Sequence, residues 1–444
     1  MKRLISKYKM EVEIREKDYK SSPLRVKQKK SNMETSNNES NANNLQLFYA
    51  SCFAVITNAF SFSIRAGILP QLGVELNLTA EELGYINSMW FLGFPISMII
   101  GGLIYNIVGG KAIMHFAFFA HTIGIIMTIY SGSYVGLLMS TLLIGVGNGC
   151  TEAACNPLIA EAYEGNMIIK MMNRFHMWFP GGIVIGALIS KFMTDGGMTW
   201  QSQIWVIMIP TLIYAYLFFG KTWPKAKTQV KASLSSNFKA IASPLFIFMM
   251  VCMVFTAISE FGPQQWVGLI LAQSGAEPML ILALVTGLMA VARYFGGDVV
   301  KKFDQTGVFL GSAVLTAIGI FLFSTQTGSM AYVAAIIYAL GIAYFWPNML
   351  GFIADKIPNS GAIGLSIVGA AGMFSGSIFQ PIIGAWIDSD KAAVAATGLT
   401  GDELDLVAGQ ATLQTMTVFP VILIVLFIIL FVWVKKNKAK LLIN

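Results

Sequence analysis

The sequence is poor in charge, in cysteine and in histidine, and each shortage excludes a class of protein. Asp, Glu, Lys and Arg make up 12% of the 444 residues and 55% are hydrophobic. That is about half the charge of an ordinary soluble domain, so a water-soluble globule is excluded. The three histidines and four cysteines show no spacing that would ligate a metal or frame a set of disulfides. Cys52, Cys150, Cys155 and Cys252 all fall in apolar runs and read as small buried hydrophobes. No nucleophile, base and orienting group can be assembled, so an enzyme is the least supported class, and no cofactor or metal is expected. The ten-residue alternation of an outer-membrane barrel is also missing, which leaves helices as the means of crossing a bilayer.

The net charge of +7 has a local origin: residues 1–32 hold eleven Lys/Arg against four Asp/Glu, and the remaining 19 of each sign cancel. A basic tail with no nucleic-acid motif beside it meets anionic lipid headgroups, at about 1 kcal/mol per basic residue near the surface. Nucleic acid is not an expected partner. The first apolar run starts near Leu47, too far along and too long for a cleaved signal peptide. Met33 opens a conventional short leader to it, and residues 1–32 are expected to be untranslated in the native protein, which an intact mass including them would refute. Ser31 to Gln46, rich in Asn, Ser and Glu, is expected to be disordered.

Twelve apolar runs follow, near 47–73, 82–108, 112–131, 134–161, 168–193, 201–220, 244–272, 278–300, 307–325, 330–354, 361–387 and 410–434. Their lengths suit helices crossing a ~30 Å hydrocarbon layer. With the N-terminus inside, 25 of the 30 Lys/Arg fall in cytoplasmic segments, Lys191 and Lys391 fall outside, and Arg65, Arg174 and Arg293 lie within helices. This is the bias of the positive-inside rule, and an even helix count returns the C-terminus to the cytoplasm. The expected organisation is a basic tail over 1–46, a six-helix bundle over 47–220, a central cytoplasmic loop over 221–243, a second bundle over 244–436 and a short tail over 437–444. Six and six is the mark of a transporter built on an internal repeat.

Within this frame a few polar residues stand out. Gly147 to Pro157, GNGCTEAACNP, places the carboxylate of Glu152 inside an apolar run. A charge at the bilayer centre costs roughly 2.5 to 3.5 kcal/mol on insertion scales, so it faces a wet cavity or a partner. Arg174 is the expected partner, with His176 beside it on a proton path. Arg65 in the first run and Glu260 in the seventh lie roughly 27 and 24 Å from the cytoplasmic ends at 1.5 Å per residue, and are expected to pair as a gate at the outer mouth. Gln264 and Gln265 after Gly262-Pro263, and Tyr344, Trp346 and Asn348 around Pro347, offer hydrogen-bonding amides and a stacking face to a bound solute. Arg293 reads as a snorkelling structural cation, and His121 as a helix-to-helix hydrogen-bonding group.

The GNGCTEAACNP stretch closely resembles the fourth helix of the fucose permease branch of the Major Facilitator Superfamily, in Gly147, Gly149, Cys150, Glu152, Ala154, Asn156 and Pro157. ILPQL at Ile68 to Leu72, NRFHMWFPGG at Asn173 to Gly182 and ARYFGG at Ala292 to Gly297 echo the same branch, and GGLIYNIVGGK from Gly101 looks like a worn copy of the superfamily's signature loop. The resemblance implies an all-α membrane protein with twelve transmembrane helices in two pseudo-symmetric six-helix bundles, a central site and proton-coupled uptake of a sugar. Ala66 stands where fucose permeases carry a functional Asp, with Arg65 beside it. An Arg there suggests an anionic substrate such as a sugar acid, held in bidentate fashion.

The expected function is therefore a multi-pass, monomeric secondary transporter of a bacterial plasma membrane that imports a sugar or sugar derivative with protons. Glu152, Arg174 and His176 are expected to handle the proton, and Arg65, Asn156, Gln264, Gln265, Tyr344, Trp346 and Asn348 to meet the substrate. The alternatives are an organic-anion or sugar-acid carrier using Arg65, and a transporter-like sensor that binds its ligand without moving it.

Overall fold

A computed structural model of the chain describes residues 23–163, 166–224 and 239–437, and every regular element among them is a helix. The tail up to residue 22, residues 225–238 of the central loop and the last residues from 438 lie outside the described part. The first half holds α1 (Pro23–Glu75), α2 (Ala80–Val108), α3 (Gly110–Tyr130), α4 (Tyr134–Ala162), α5 (Asn166–His176), α6 (Trp178–Asp195) and α7 (Trp200–Phe218). The second holds α8 (Pro244–Ile270), α9 (Pro278–Tyr294), α10 (Gly296–Phe323), α11 (Ser329–Ile342), α12 (Phe345–Lys356), α13 (Gly361–Ala395), α14 (Gly401–Met416) and α15 (Val418–Lys436).

Three passes are broken, and proline explains each break. Pro180, Pro347 and Pro420 occupy the third position of α6, α12 and α15. There the missing N–H is no loss, while the ring clashes with the carbonyl four residues back and ends the preceding helix. Counting α5–α6, α11–α12 and α14–α15 as single passes, eleven helices among the described residues are long and apolar enough to span a membrane. The 17-residue α9 is the shorter twelfth.

Two expectations need correction. Ser31 to Gln46 is helical, because α1 is continuous from Pro23; once an apolar run has nucleated, each further residue adds one hydrogen bond for one residue fixed. The run placed at 278–300 stops at Tyr294, and the chain turns through Phe295 and again at Asp304, which has φ 54°.

Successive passes run in opposite directions, which defines a near end, where α1 enters and α15 leaves, and a far end opposite. Each half packs as a bundle, with α2 and α3 against α4, α1 against α6 and α7, α8 against α13, and α10 against α11 and α15. The halves meet where α2 lies along α13, α6 along α9 and α1 against α8. At the far end this contact is close. Gly84 of α2 faces the backbone of Gln380 and Pro381, and Gly384 of α13 faces that of Ala80 and Glu81, with no room for a Cβ at either. The Asp388 carboxylate of α13 accepts from Ala80 N at 2.9 Å and Glu81 N at 2.8 Å. One bundle thus caps the N-terminus of a helix in the other, where orphan N–H groups and the helix dipole both favour an anion. Lys191 adds a contact of 3.7 Å to Glu277 across the same boundary.

Candidate substrate site

Beneath the far-end closure, α1 presents Arg65, which is 5% exposed. Its Nε donates to Asn87 Oδ1 of α2 at 2.7 Å, and its Nη2 donates to Gln265 Oε1 of α8, in the other bundle, at 2.7 Å. The guanidinium lies over the Trp90 ring, 5.0 Å from its centroid, a cation–π geometry suited to a desolvated Arg. Gln265 Nε2 donates back to Phe62 O at 3.2 Å, so this amide bridges the two bundles with both ends engaged. Among the described residues no carboxylate lies within ion-pair distance of Arg65.

The Trp90 face is itself held in place. Its Nε1 donates to Ser61 Oγ at 2.9 Å, and Ser61 Oγ also accepts from Asn148 Nδ2 at 3.3 Å. Asn148 Oδ1 meets His121 Nε2 at 2.9 Å, and His121 Nδ1 meets the Tyr214 hydroxyl at 3.0 Å. All of these side chains are buried. The small residues of the fourth run make this possible: Gly147 leaves room for the His121 ring, and Gly149 for the Phe94 carbonyl and Ser97.

The structure pairs Glu260 differently from the sequence expectation. Glu260, 4% exposed, has Oε1 3.6 Å from Arg293 Nη2 of α9, and not Arg65, as its charged neighbour. The residue of α8 that reaches Arg65 is Gln265, five residues beyond Glu260 and so about 7.5 Å further along the helix and turned about 140° around it, at 1.5 Å and 100° per residue. Arg293 also donates through Nε to Ala343 O at 2.9 Å, the carbonyl that Pro347 leaves without a helical donor. Tyr338 does the same for Pro263, sharing its hydroxyl between Ser259 O and Glu260 O at 2.8 Å each.

Glu152, on the near half of α4, is half-buried and accepts from Asn156 Nδ2 at 2.7 Å. Arg174 and His176 are exposed, and Arg174 makes no ion pair among the described residues, so the expected Glu152–Arg174 pair is absent. Helix α5, which carries both, is a separate piece ending at His176, so the register of α6 no longer fixes where its side chains point. Trp346 is half-buried with its ring 6.0 Å from Phe261, Tyr344 is half-buried, and Asn348 keeps a buried Nδ2 without a partner. Gln264, next to Gln265 in sequence, points instead into a small apolar cleft with Val267, Leu282, Tyr338 and Leu413, its Nε2 also unpartnered. The substrate candidates thus divide between the two bundles, with Arg65–Gln265 as the link. Asn87, Trp90 and Asp388 were missed; the one signal for Asn87 is an amide in an apolar run.

Residues 51–381 match the family model described as Major Facilitator Superfamily. The chain belongs to that superfamily. Among relatives, the hexuronate transporter of Bacillus subtilis is 22% identical over 73% of this chain and 88% of its own length. The sialic acid transporter NanX of Escherichia coli is 22% identical over 71% of this chain and 83% of its own. Among solved structures, a mutant form of the nucleoside transporter NupG superposes with a TM-score of 0.73 at 14% identity, covering 88% of this chain and 100% of that one. A bacterial homologue of the human lysosomal transporter Spinster also reaches 0.73, at 16% identity over 87% and 96%. These superpositions bear out a Major Facilitator fold of two six-helix bundles.

Proposed function

We propose that this transporter imports a carboxylate-bearing sugar derivative or a small organic acid of similar size, together with protons, by alternating access. The observation that carries this reading is Arg65: a cation 5% exposed, between two bundles, held by neutral amides and an indole. A buried charge without a counter-ion is expensive, and a substrate carboxylate supplies the missing one. A neutral sugar would leave that cost in place. The hexuronate and sialic acid relatives support an acidic substrate, and the fucose-permease-like stretch around Glu152 supports a sugar-like body and proton coupling.

Gln265 gives the cycle a direction. Its Oε1 occupies the Arg65 N–H that a substrate oxygen would use, so closing the far end replaces the substrate and favours release at the near end. The distribution of Lys and Arg supports a cytoplasmic near end. Glu152, whose carboxylate accepts from an amide and meets no cation among the described residues, serves as the proton-handling group. One proton with one monovalent anion makes the step electroneutral and driven by the pH difference alone. Protein reconstituted in proteoliposomes with an alkaline lumen should accumulate labelled D-glucuronate and ignore D-glucose. Accumulation of glucose with exclusion of glucuronate would overturn the reading, in favour of the neutral-sugar symporter.

A further inference from the structure

Asn87 sits beside Arg65 with an unusual hydrogen-bond account. It is 0% exposed, its Oδ1 accepts from Arg65 Nε at 2.7 Å, and its Nδ2 is buried with no partner. Turning the amide over does not repair this. A guanidinium has donors only, so the oxygen must face Arg65 and the NH2 must face away. A buried donor left unmade carries a desolvation cost, and a carboxylate at this position would avoid it while neutralising Arg65. The chain instead keeps an amide, which leaves the guanidinium charge uncompensated and leaves a second, unengaged donor on the side chain that Arg65 holds.

We infer that Asn87 is the second half of the carboxylate site and its specificity determinant. When the far end opens and Gln265 leaves with its bundle, one substrate oxygen takes the freed Arg65 N–H and the carboxylate also accepts from Asn87 Nδ2. Asn87 therefore selects an acceptor-only group, and its neutrality keeps Arg65 available for it. This inference rests on the carboxylate reading of Arg65, and the two are separable by experiment.

Purified wild type, Asn87→Asp, Asn87→Ala and Arg65→Gln are compared by titration calorimetry with D-glucuronate, D-galacturonate and N-acetylneuraminate, and by thermal unfolding without ligand. Asn87→Asp should unfold at or above the wild-type temperature, because Arg65 gains a counter-ion, yet bind these acids about 100-fold or more weakly. Asn87→Ala should weaken binding about tenfold, the loss expected for one hydrogen bond to a charged group. A merely structural asparagine would lose stability and binding together. Asn87→Asp binding within threefold of wild type overturns the inference; if that variant does not fold, unchanged binding by Asn87→Ala does so. Where Arg65→Gln loses binding and the Asn87 variants keep it, only the role of Asn87 falls. Where Arg65→Gln binds as wild type, or wild type binds none of the three acids, the carboxylate reading falls with it.

Discussion

Replacing Asp388 by Ala removes an anion that holds the two bundles together at the far end. The carboxylate accepts two backbone N–H groups, from Ala80 and Glu81, and faces the positive end of α2. Hydrogen bonds to a charged group are worth about 1.5 to 3 kcal/mol each in net terms. Asp388 is half-buried and water replaces it when the contact opens, so we take about 2 kcal/mol for the pair, which shifts the closed-to-open ratio about 30-fold. The four native cysteines are buried, so spin labels can be placed at exposed positions 74 and 397, one in each half, and their separation read by pulsed electron resonance. Wild type should give a single short distance, and Asp388→Ala should add a longer population. Thr79→Ala is the control, since Thr79 caps α2 within its own bundle and should fray the helix without separating the labels. An unchanged distance distribution in Asp388→Ala would refute the reasoning.

Other outcomes follow from the same contacts. Glu152→Gln should abolish accumulation against a gradient while leaving counterflow exchange intact, since exchange needs binding and rocking but no net proton release; concentrative uptake by this variant would assign the proton to another group. Arg293→Met should lower stability by about 3 kcal/mol by leaving Glu260 buried without its cation, and adding Glu260→Gln should recover most of the loss in thermal unfolding; no recovery would show that Arg293 acts through Ala343 alone. Trp346→Ala and Asn348→Ala should each weaken glucuronate binding by about 1 to 3 kcal/mol, and unchanged affinity in both would place them on a packing face.

The fold was legible because membrane helices announce themselves by length and apolar content; the breaks at Pro180 and Pro420 were not read, since Pro95, Pro157 and Pro263 lie inside unbroken helices and proline alone does not mark a break. The turn after Tyr294 was obscured because apolar residues run through it. In the site, the presence of buried charges was readable and their partners were not. Counting residues from a helix end put Arg65 and Glu260 at similar depths, but which residue of α8 reaches Arg65 depends on how that helix is rotated and shifted against α1, which tertiary packing decides. Glu152 and Arg65 drew notice because a charge in an apolar run demands a reason. Asn87 and Trp90 are of types that occur in many membrane helices, and Asp388 meets α2 from 308 residues away. Beyond the amide in an apolar run at Asn87, nothing local marks the three.

The most direct test of the central claim is an experimental structure of the protein with D-glucuronate bound and the far end open. The account predicts the carboxylate against the Arg65 guanidinium and Asn87 Nδ2, with Gln265 withdrawn and Trp90 still beneath the cation. A sugar bound elsewhere in the protein, with Arg65 still joined to Asn87 and Gln265, would contradict it.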